Sequence, residues 1–313
     1  MRSVLAVPRL APFLLLAACA HVDAPPAARA ESAAASQAAA SVDVSDGGGR
    51  HLHLAHPARR IVSMLPSGTE MLQSLGARDR IVGRTDYDKS LDMATLPTIG
   101  GGLTPNIEAI VALKPDVVLI WESGKADDPI RSALERAGIA VYGMATRDTT
   151  DVFRTLADLA RLTARDSAGA ALASRLRGEL AAVRASTSGR AAPSVLFLLW
   201  GDPPMTSGPA TFVSQLIGIA GGRTAFPELT RDWTQLSVEQ VVRRNPDVIV
   251  LPTGETSTAT LAQMRAAPGW RDLRAVREDR IVRLDADLVN RPGPHMGEAA
   301  RALRDGFVAA SRP

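Results

Sequence analysis

The chain has 313 residues, of which 46% are hydrophobic and 22% charged, and its formal net charge is +3. This length is sufficient for two domains, and this composition is typical of a globular protein with a substantial core. Acidic and basic residues are nearly balanced and no long basic run occurs, which argues against a nucleic-acid-binding surface.

The first 18 residues have the pattern of a bacterial export signal. Arg2 and Arg9 flank a short apolar start, and the apolar stretch is too short to span a membrane as a mature helix. The sequence Leu16-Ala17-Ala18-Cys19 resembles a lipobox, which implies cleavage before Cys19 and lipidation of its sulfur. Cys19 is the single cysteine, so we expect no disulfide and no catalytic thiol. An ordinary signal peptide with an incidental cysteine is the alternative.

A tether and a hairpin follow the signal. Residues 19–41 are mostly Ala with Pro and Ser, and we predict that they form a disordered tether. Two short alternating runs flank Asp46-Gly47-Gly48-Gly49, which predicts a β-hairpin. His51 and His53 would share one face of it, but no nearby Cys or Glu completes a ligand set, so we expect no metal site.

Two segments of the chain repeat one pattern. Residues 107–120 and 238–251 align without a gap and share a Glu, a Val three residues later, and Pro-Asp-Val. The apolar spacing before the proline suits a short amphipathic helix, and the apolar run after it suits a strand buried on both faces. The proline ends the helix, and we expect the residue before it to be extended. The repeat therefore predicts two similar α/β lobes.

The other elements alternate in the same way. We predict strands at 60–65, 80–83, 141–143, 194–200 and 280–284, and helices at 66–75 (opened by a Ser/Thr cap), 127–138, 150–185, 211–220, 258–267 and 296–310, with a loop at 285–295. This order predicts an α/β fold of two doubly wound lobes, residues 42–165 and 189–313. One long connecting helix, residues 166–188, joins them, and the ligand cleft lies between the lobes.

Large side chains follow several of the predicted strands. Ligands of open parallel sheets bind beyond the carboxyl ends of the strands. The side chains placed there are Tyr87, Trp121, Trp200, Trp233, Asp287 and Arg291. The alternatives are that the tryptophans cap a core and that Asp287 and Arg291 form a local surface ion pair.

Sequence motifs of catalysis are missing. We find no nucleophile elbow, no zinc-protease motif, no phosphate-binding loop and no dinucleotide fingerprint. We therefore expect a binding protein rather than an enzyme, with no cofactor. A secreted hydrolase on this scaffold is the alternative from a different class.

Several stretches together resemble class III periplasmic binding proteins. They are residues 60–70 (Arg-Ile-Val-Ser-Met-Leu-Pro-Ser-Gly-Thr-Glu), the 107–120 segment and the long central helix, and the resemblance spans roughly residues 42–311. Proteins of this class serve ABC importers of cobalamin, haem and ferric siderophores. Residues 197–208 (Phe-Leu-Leu-Trp-Gly-Asp-Pro-Pro-Met-Thr-Ser-Gly) and Asp232-Trp233 are most similar to the cobalamin-binding members.

The resemblance implies roles for individual residues. The six side chains after the strands match positions that line the corrin site, and Glu108 and Glu239 match glutamates that pair with permease arginines. A purely structural role of these two acids at helix starts is the alternative. Two departures stand out: Gly100-Gly101-Gly102 replaces an aromatic residue of the family, and Leu288 stands where cobalamin binders have a tryptophan.

The implied function is capture and delivery. We expect a lipid-anchored receptor on the periplasmic side of the cell envelope that binds a corrinoid and docks on an ABC permease dimer. Haem or a ferric siderophore is the alternative ligand, with His295, Tyr87 or Arg84 at the iron or its chelator.

Replacing Cys19 tests the anchor. Cys19→Ser removes the sulfur that would carry the lipid, so the mature protein should be released from membranes into the soluble fraction. Membrane partitioning of the parent and the variant, followed by immunoblotting, measures this. Equal partitioning of the two proteins would contradict the lipobox prediction.

Overall fold

The computed structural model describes residues 41–125, 127–199, 203–254 and 261–311. The predicted signal peptide, Cys19, almost all of the predicted tether and Trp200 lie outside these residues. Within the described ranges, no helix is both long enough and apolar enough to cross a lipid bilayer.

The strands and helices follow the predicted alternation. The strands are β1 (Val42–Ser45), β2 (His51–Leu54), β3 (Ile61–Ser63), β4 (Ile81–Gly83), β5 (Val117–Trp121), β6 (Ala140–Met144), β7 (Ser194–Phe197), β8 (Met205–Ser207), β9 (Arg223–Thr224), β10 (Trp233–Gln235), β11 (Val248–Thr253) and β12 (Ile281–Asp285). The helices are α1 (Pro66–Ser74), α2 (Ile107–Ala112), α3 (Pro129–Arg136), α4 (Thr149–Leu162), α5 (Asp166–Thr187), α6 (Phe212–Ile219), α7 (Val238–Arg244), α8 (Leu261–Ala266), α9 (Arg274–Arg277), α10 (Ala286–Asn290) and α11 (Met296–Ala310).

Two parallel sheets define the two lobes. The sheet of the N-terminal lobe has the order β4-β3-β5-β6, and that of the C-terminal lobe has the order β12-β11-β7-β9. Every pairing within these sheets is parallel. The helix α5 lies between them in the chain, as the sequence predicts.

The central strand of each lobe is buried on both faces. In β5, Val117 and Leu119 pack into one apolar cluster while Val118 and Ile120 pack into another on the opposite face. Successive side chains of a strand point to opposite faces, so a run of apolar residues fills both layers. In β11, Val248 and Val250 join the same cluster as Val117, and Ile249 and Leu251 join a third.

The cluster that both sheets share also contains the connecting helix. Leu172, Leu176, Leu180 and Val183 lie along one face of α5 and are buried in this cluster. Their spacing of three and four residues places them on a single helical stripe. The helix is therefore part of the core of both lobes and is packed along its length.

The repeated Pro-Asp turn has the same geometry in both lobes. Lys114 and Asn245, which precede the two prolines, are left-handed with φ of 46° and 45°. This corrects the expected extended conformation: the left-handed residue also avoids the disfavoured right-handed region before proline, and it reverses the chain in one step. The Asp116 carboxylate then accepts hydrogen bonds from the backbone N–H of Arg59 and Arg60 (2.7 and 2.9 Å).

Two local predictions were wrong. The helix α1 has Leu65 at its N-cap and Pro66 in its first turn, with no Ser/Thr cap, since Pro is well suited to the first helical position. The predicted loop at 285–295 contains α10, whose start is capped by the Asp285 carboxylate accepting from Asp287 N–H.

A buried ion cluster fixes the N-terminal hairpin to its lobe. The Asp46 carboxylate, 2% exposed as a residue, accepts from the Arg131 guanidinium at 2.7 Å and from Gly143 N–H at 3.2 Å. Glu122 also contacts Arg131 (3.3 Å) and bonds Arg50 of the hairpin (2.8 Å). The turn between β1 and β2 is therefore held by charge-assisted hydrogen bonds as well as by its apolar face.

Removing the Asp46 carboxylate should destabilise the fold. Asp46→Ala leaves Arg131 buried without its closest partner, and we expect a loss of about 3 kcal/mol in the free energy of unfolding. Urea denaturation measures it. Asp43→Asn on the same hairpin changes an exposed carboxylate and should leave the free energy of unfolding nearly unchanged. Equal losses in the two variants would show that the ion cluster adds no more to the free energy of unfolding than an exposed carboxylate does.

Candidate functional site

Two connected hollows lie where the carboxyl ends of the two sheets meet. Their volumes are about 190 and 430 Å³, and both are lined by Trp121, Thr146, Asn290 and Pro292. The first extends into the C-terminal lobe and the second into the N-terminal lobe. Together they form one cleft between the lobes, in the position that the strand topology predicts.

Two tryptophans face this cleft from opposite lobes. Trp121 is the last residue of β5 and is 51% exposed, and Trp233 begins β10 and is 41% exposed. Trp233 packs at a tilt against Phe197, with ring centroids 6.2 Å apart. Half-exposed indoles that line a cleft offer a flat apolar surface to a ligand. A role in the core does not explain their exposure.

Tyr87 lines the N-terminal part of the cleft on a fixed loop. The buried Asp88 carboxylate accepts hydrogen bonds from the N–H and hydroxyl of Thr85 (2.8 and 2.7 Å), and the Thr98 hydroxyl donates to Asp86 (2.6 Å). These bonds hold the loop, while the Tyr87 ring is 53% exposed. The ring is therefore presented to the cleft by a preformed turn.

Arg291 joins the two lobes through a cluster of charges. Its Nη1 donates to Glu70 Oε1 of α1 at 2.7 Å, and its Nη2 lies 2.7 Å from Asp287 Oδ2 and donates to the Tyr87 carbonyl at 3.4 Å. Burial raises the pKa of Glu70, and the bond from Arg291 opposes that rise. The predicted local pair of Asp287 and Arg291 exists, but Arg291 also bonds across the cleft.

A second set of polar contacts joins the lobes on the far side of the cleft. Gln215 Oε1 of α6 accepts from the N–H and hydroxyl of Thr149 at the start of α4 (2.9 and 2.6 Å). Phe212 N–H donates to the Arg147 carbonyl, while the Arg147 side chain pairs with Asp151 at 3.3 Å. The two walls are thus linked at both ends of the cleft.

Of the three side chains suggested to contact iron or its chelator, only Tyr87 lines the cleft, whereas His295 and Arg84 do not. His295 precedes α11, is more than half exposed and lies 3.7 Å from Glu298, and it lines neither hollow. Arg84 bonds the Thr85 carbonyl and likewise lines neither hollow. Among the described residues, no cluster of three or more His, Cys, Asp or Glu side chains is placed to hold a metal ion.

Sequence reasoning missed several residues that line the cleft, among them Thr146, Phe212, Asn290 and Pro292. Thr146 follows β6, so the rule about strand ends could have found it. Asn290 ends the helix that was predicted as loop. Gly102, which also lines the cleft, packs against the Met64 carbonyl with no room for a Cβ.

Glu108 and Glu239 occupy equivalent places in the two lobes. Each is exposed in the first turn of its helix, α2 or α7. These starts are capped by Asn106 and by Ser237, and the bond from Ser237 lowers the pKa of Glu239. Each helix runs back along the strand that follows it, so both glutamates lie towards the carboxyl edge of their sheets, the side of the cleft.

Comparison with known proteins identifies the class. The chain belongs to the family described as periplasmic binding proteins, whose profile matches residues 61–288. It is 27% identical over 273 residues to an uncharacterized ABC transporter substrate-binding lipoprotein of Bacillus subtilis, covering 85% of each. It is 28% identical over 249 residues to a vitamin B12-binding protein of Vibrio cholerae, covering 79% of this chain and 88% of that one.

A solved structure shares the fold. The periplasmic heme-binding protein of a Roseiflexus species, in apo form, superposes with a TM-score of 0.73 at 27% identity, covering 82% of this chain and 100% of that one. The predicted family and the two-lobed α/β fold are therefore confirmed. The protein is a substrate-binding component of an ABC importer, which implies a small-molecule ligand and a permease partner.

Proposed function

We propose that this protein binds cobalamin in the cleft between its lobes and delivers it to the permease without a chemical step. The single observation that carries the proposal is the pair of half-exposed tryptophans, Trp121 and Trp233, which line one hollow from opposite lobes. A corrin is a broad, flat ring, and flat aromatic walls match its faces. The vitamin B12-binding relative of Vibrio cholerae supports the same ligand.

The remaining site residues complete the proposal. Tyr87, Trp200, Asp287 and Arg291 join the two tryptophans in the ligand site, and Cys19 carries the lipid that holds the protein at the membrane. The Bacillus subtilis relative, named as a lipoprotein, supports the anchor. Since α5 and the contacts at both ends of the cleft restrain the lobes, affinity derives from a largely preformed site.

Truncating the tryptophans should weaken binding. Trp121→Ala and Trp233→Ala each remove a flat contact surface, and we expect a loss of about 1–3 kcal/mol in the free energy of cyanocobalamin binding. Isothermal titration calorimetry measures it.

Leu91→Ala is the matched control for this test. Leu91 is an exposed apolar residue outside both hollows, so its truncation should leave binding unchanged. If the tryptophan variants lose melting temperature but bind cyanocobalamin as the parent does, these side chains serve the core and the proposed site is wrong.

Haem is the second candidate because Tyr87 lines the cleft and a phenol oxygen can bind ferric iron. The heme-binding structural neighbour supports it. Purified protein exposed to cyanocobalamin and hemin together should retain the corrinoid spectrum after gel filtration. If the protein retains haem instead, haem rather than cobalamin is the ligand. In that case Tyr87→Phe should shift the haem absorption.

We also propose that Glu108 and Glu239 pair with basic groups on the permease dimer. Two like charges in equivalent places, one per lobe, suit a partner built from two similar subunits. Such pairs fix orientation and speed encounter more than they add affinity.

Changing both glutamates to alanine should leave ligand binding intact but strongly reduce uptake of labelled cobalamin by cells. Glu→Arg at both positions should be worse, since it adds repulsion. Glu278→Ala is the control, because Glu278 is partly exposed and lies before the amino end of β12, at the opposite edge of the sheet. Normal uptake by the double variant at native expression would rule out the docking role.

A further inference from the structure

Arg291, which lines the cleft, is already paired with two carboxylates. Its two terminal nitrogens contact Glu70 and Asp287, both at 2.7 Å, and one of them also donates to the Tyr87 carbonyl. One guanidinium therefore faces two carboxylates, and the cluster carries excess negative charge when all three groups are ionised. Arg291 and Glu70 are each 21% exposed at the side chain, so solvent screens this contact only partly.

The second arginine that lines the cleft is also paired. Arg147 lies 3.3 Å from Asp151, whose other carboxylate oxygen pairs with Arg154 at 2.8 Å, and Asp232 adds a further carboxylate to the wall of the same hollow. Within the described lining of the two hollows, both arginines thus have acidic partners. A ligand carboxylate entering here would have to displace one of those partners, whereas a neutral amide could donate to their carboxylate oxygens.

We infer that Glu70 is a specificity-determining residue: by holding Arg291 it makes the cleft reject ligands whose rim carries carboxylates and accept ligands whose rim is uncharged. This inference rests on the proposed function and narrows it to a ligand with amide side chains. Asp287 neutralises Arg291 locally on α10, and Glu70 does so from the other lobe. Because Glu70 belongs to α1 of the N-terminal lobe, the same bond to Arg291 both joins the lobes and sets the charge that a ligand meets in the cleft.

The test uses ligand pairs that differ only in charge. Cyanocobalamin is compared with its derivative in which one peripheral amide is hydrolysed to a carboxylate, and hemin is compared with its neutral dimethyl ester. The parent should bind the uncharged member of each pair more tightly. Glu70→Gln removes the excess negative charge of the cluster and leaves Arg291 paired with Asp287 alone. In this variant the ratio of the two dissociation constants should move towards the charged member by about tenfold.

Glu179→Gln is the matched control. Glu179 has 22% side-chain exposure and pairs with Arg175 at 2.7 Å and Arg301 at 3.5 Å between α5 and α11, outside the cleft. Glu179→Gln removes the same charge as Glu70→Gln but outside the cleft, so its ratio of the two dissociation constants should equal that of the parent. A purely structural loss in Glu70→Gln would weaken both members of a pair equally and leave the ratio unchanged, which would overturn the inference.

The outcomes also separate the inference from the proposed function. If the parent binds neither corrinoid but does bind the porphyrins, cobalamin is the wrong ligand, and the hemin pair alone decides the role of Glu70. Binding of none of the four compounds would overturn both. An equal shift of the ratio in Glu179→Gln would assign the effect to overall charge and remove Glu70 from specificity.

Discussion

The burial of one continuous apolar cluster against both sheets is the constraint on which the structure depends. Val117 of β5, Val248 of β11 and Leu176 of α5 belong to this cluster although they come from different lobes and from the connector. Opening the lobes as a hinge would expose part of that surface, at roughly 25 cal/mol for each Å² of apolar area. The cleft therefore has walls whose separation is set by the core beneath them.

Much of the fold could be predicted because its signals are local. The change from helical spacing to an unbroken apolar run, with Pro-Asp between them, marks the same unit twice and is visible in any short window of sequence. The left-handed residues before the prolines could not be predicted in this way. At Lys114 and Asn245 the tight return of the chain onto the sheet decides the conformation, and that return is a tertiary requirement.

The site was predictable only as far as it follows strand ends. Trp121 was found because it ends a strand and Tyr87 because it lies in the loop after one, whereas Asn290 was missed with the short helix that carries it. The contact of Glu70 with Arg291 joins residues 221 positions apart. No local pattern encodes such a pair, since a Glu in the first helix of an α/β lobe is equally suited to solvent. Its role emerges only when the two lobes are brought together.

The hairpin at the start of the described region also determines how the lobe responds to mechanical load at residue 41. A pull at residue 41 acts on the open end of the hairpin, because Val42 pairs with Leu54 and the chain beyond is held where Ala58 N–H bonds the Leu162 carbonyl. In this direction the ladder opens one pair at a time, starting from Val42. The opening then meets Asp46 at the closed end, where the Arg131 contact must break at once. A pull at residue 41 thus opens four residue pairs and withdraws Val42 and Val44 from the core cluster before it reaches the Arg131 contact.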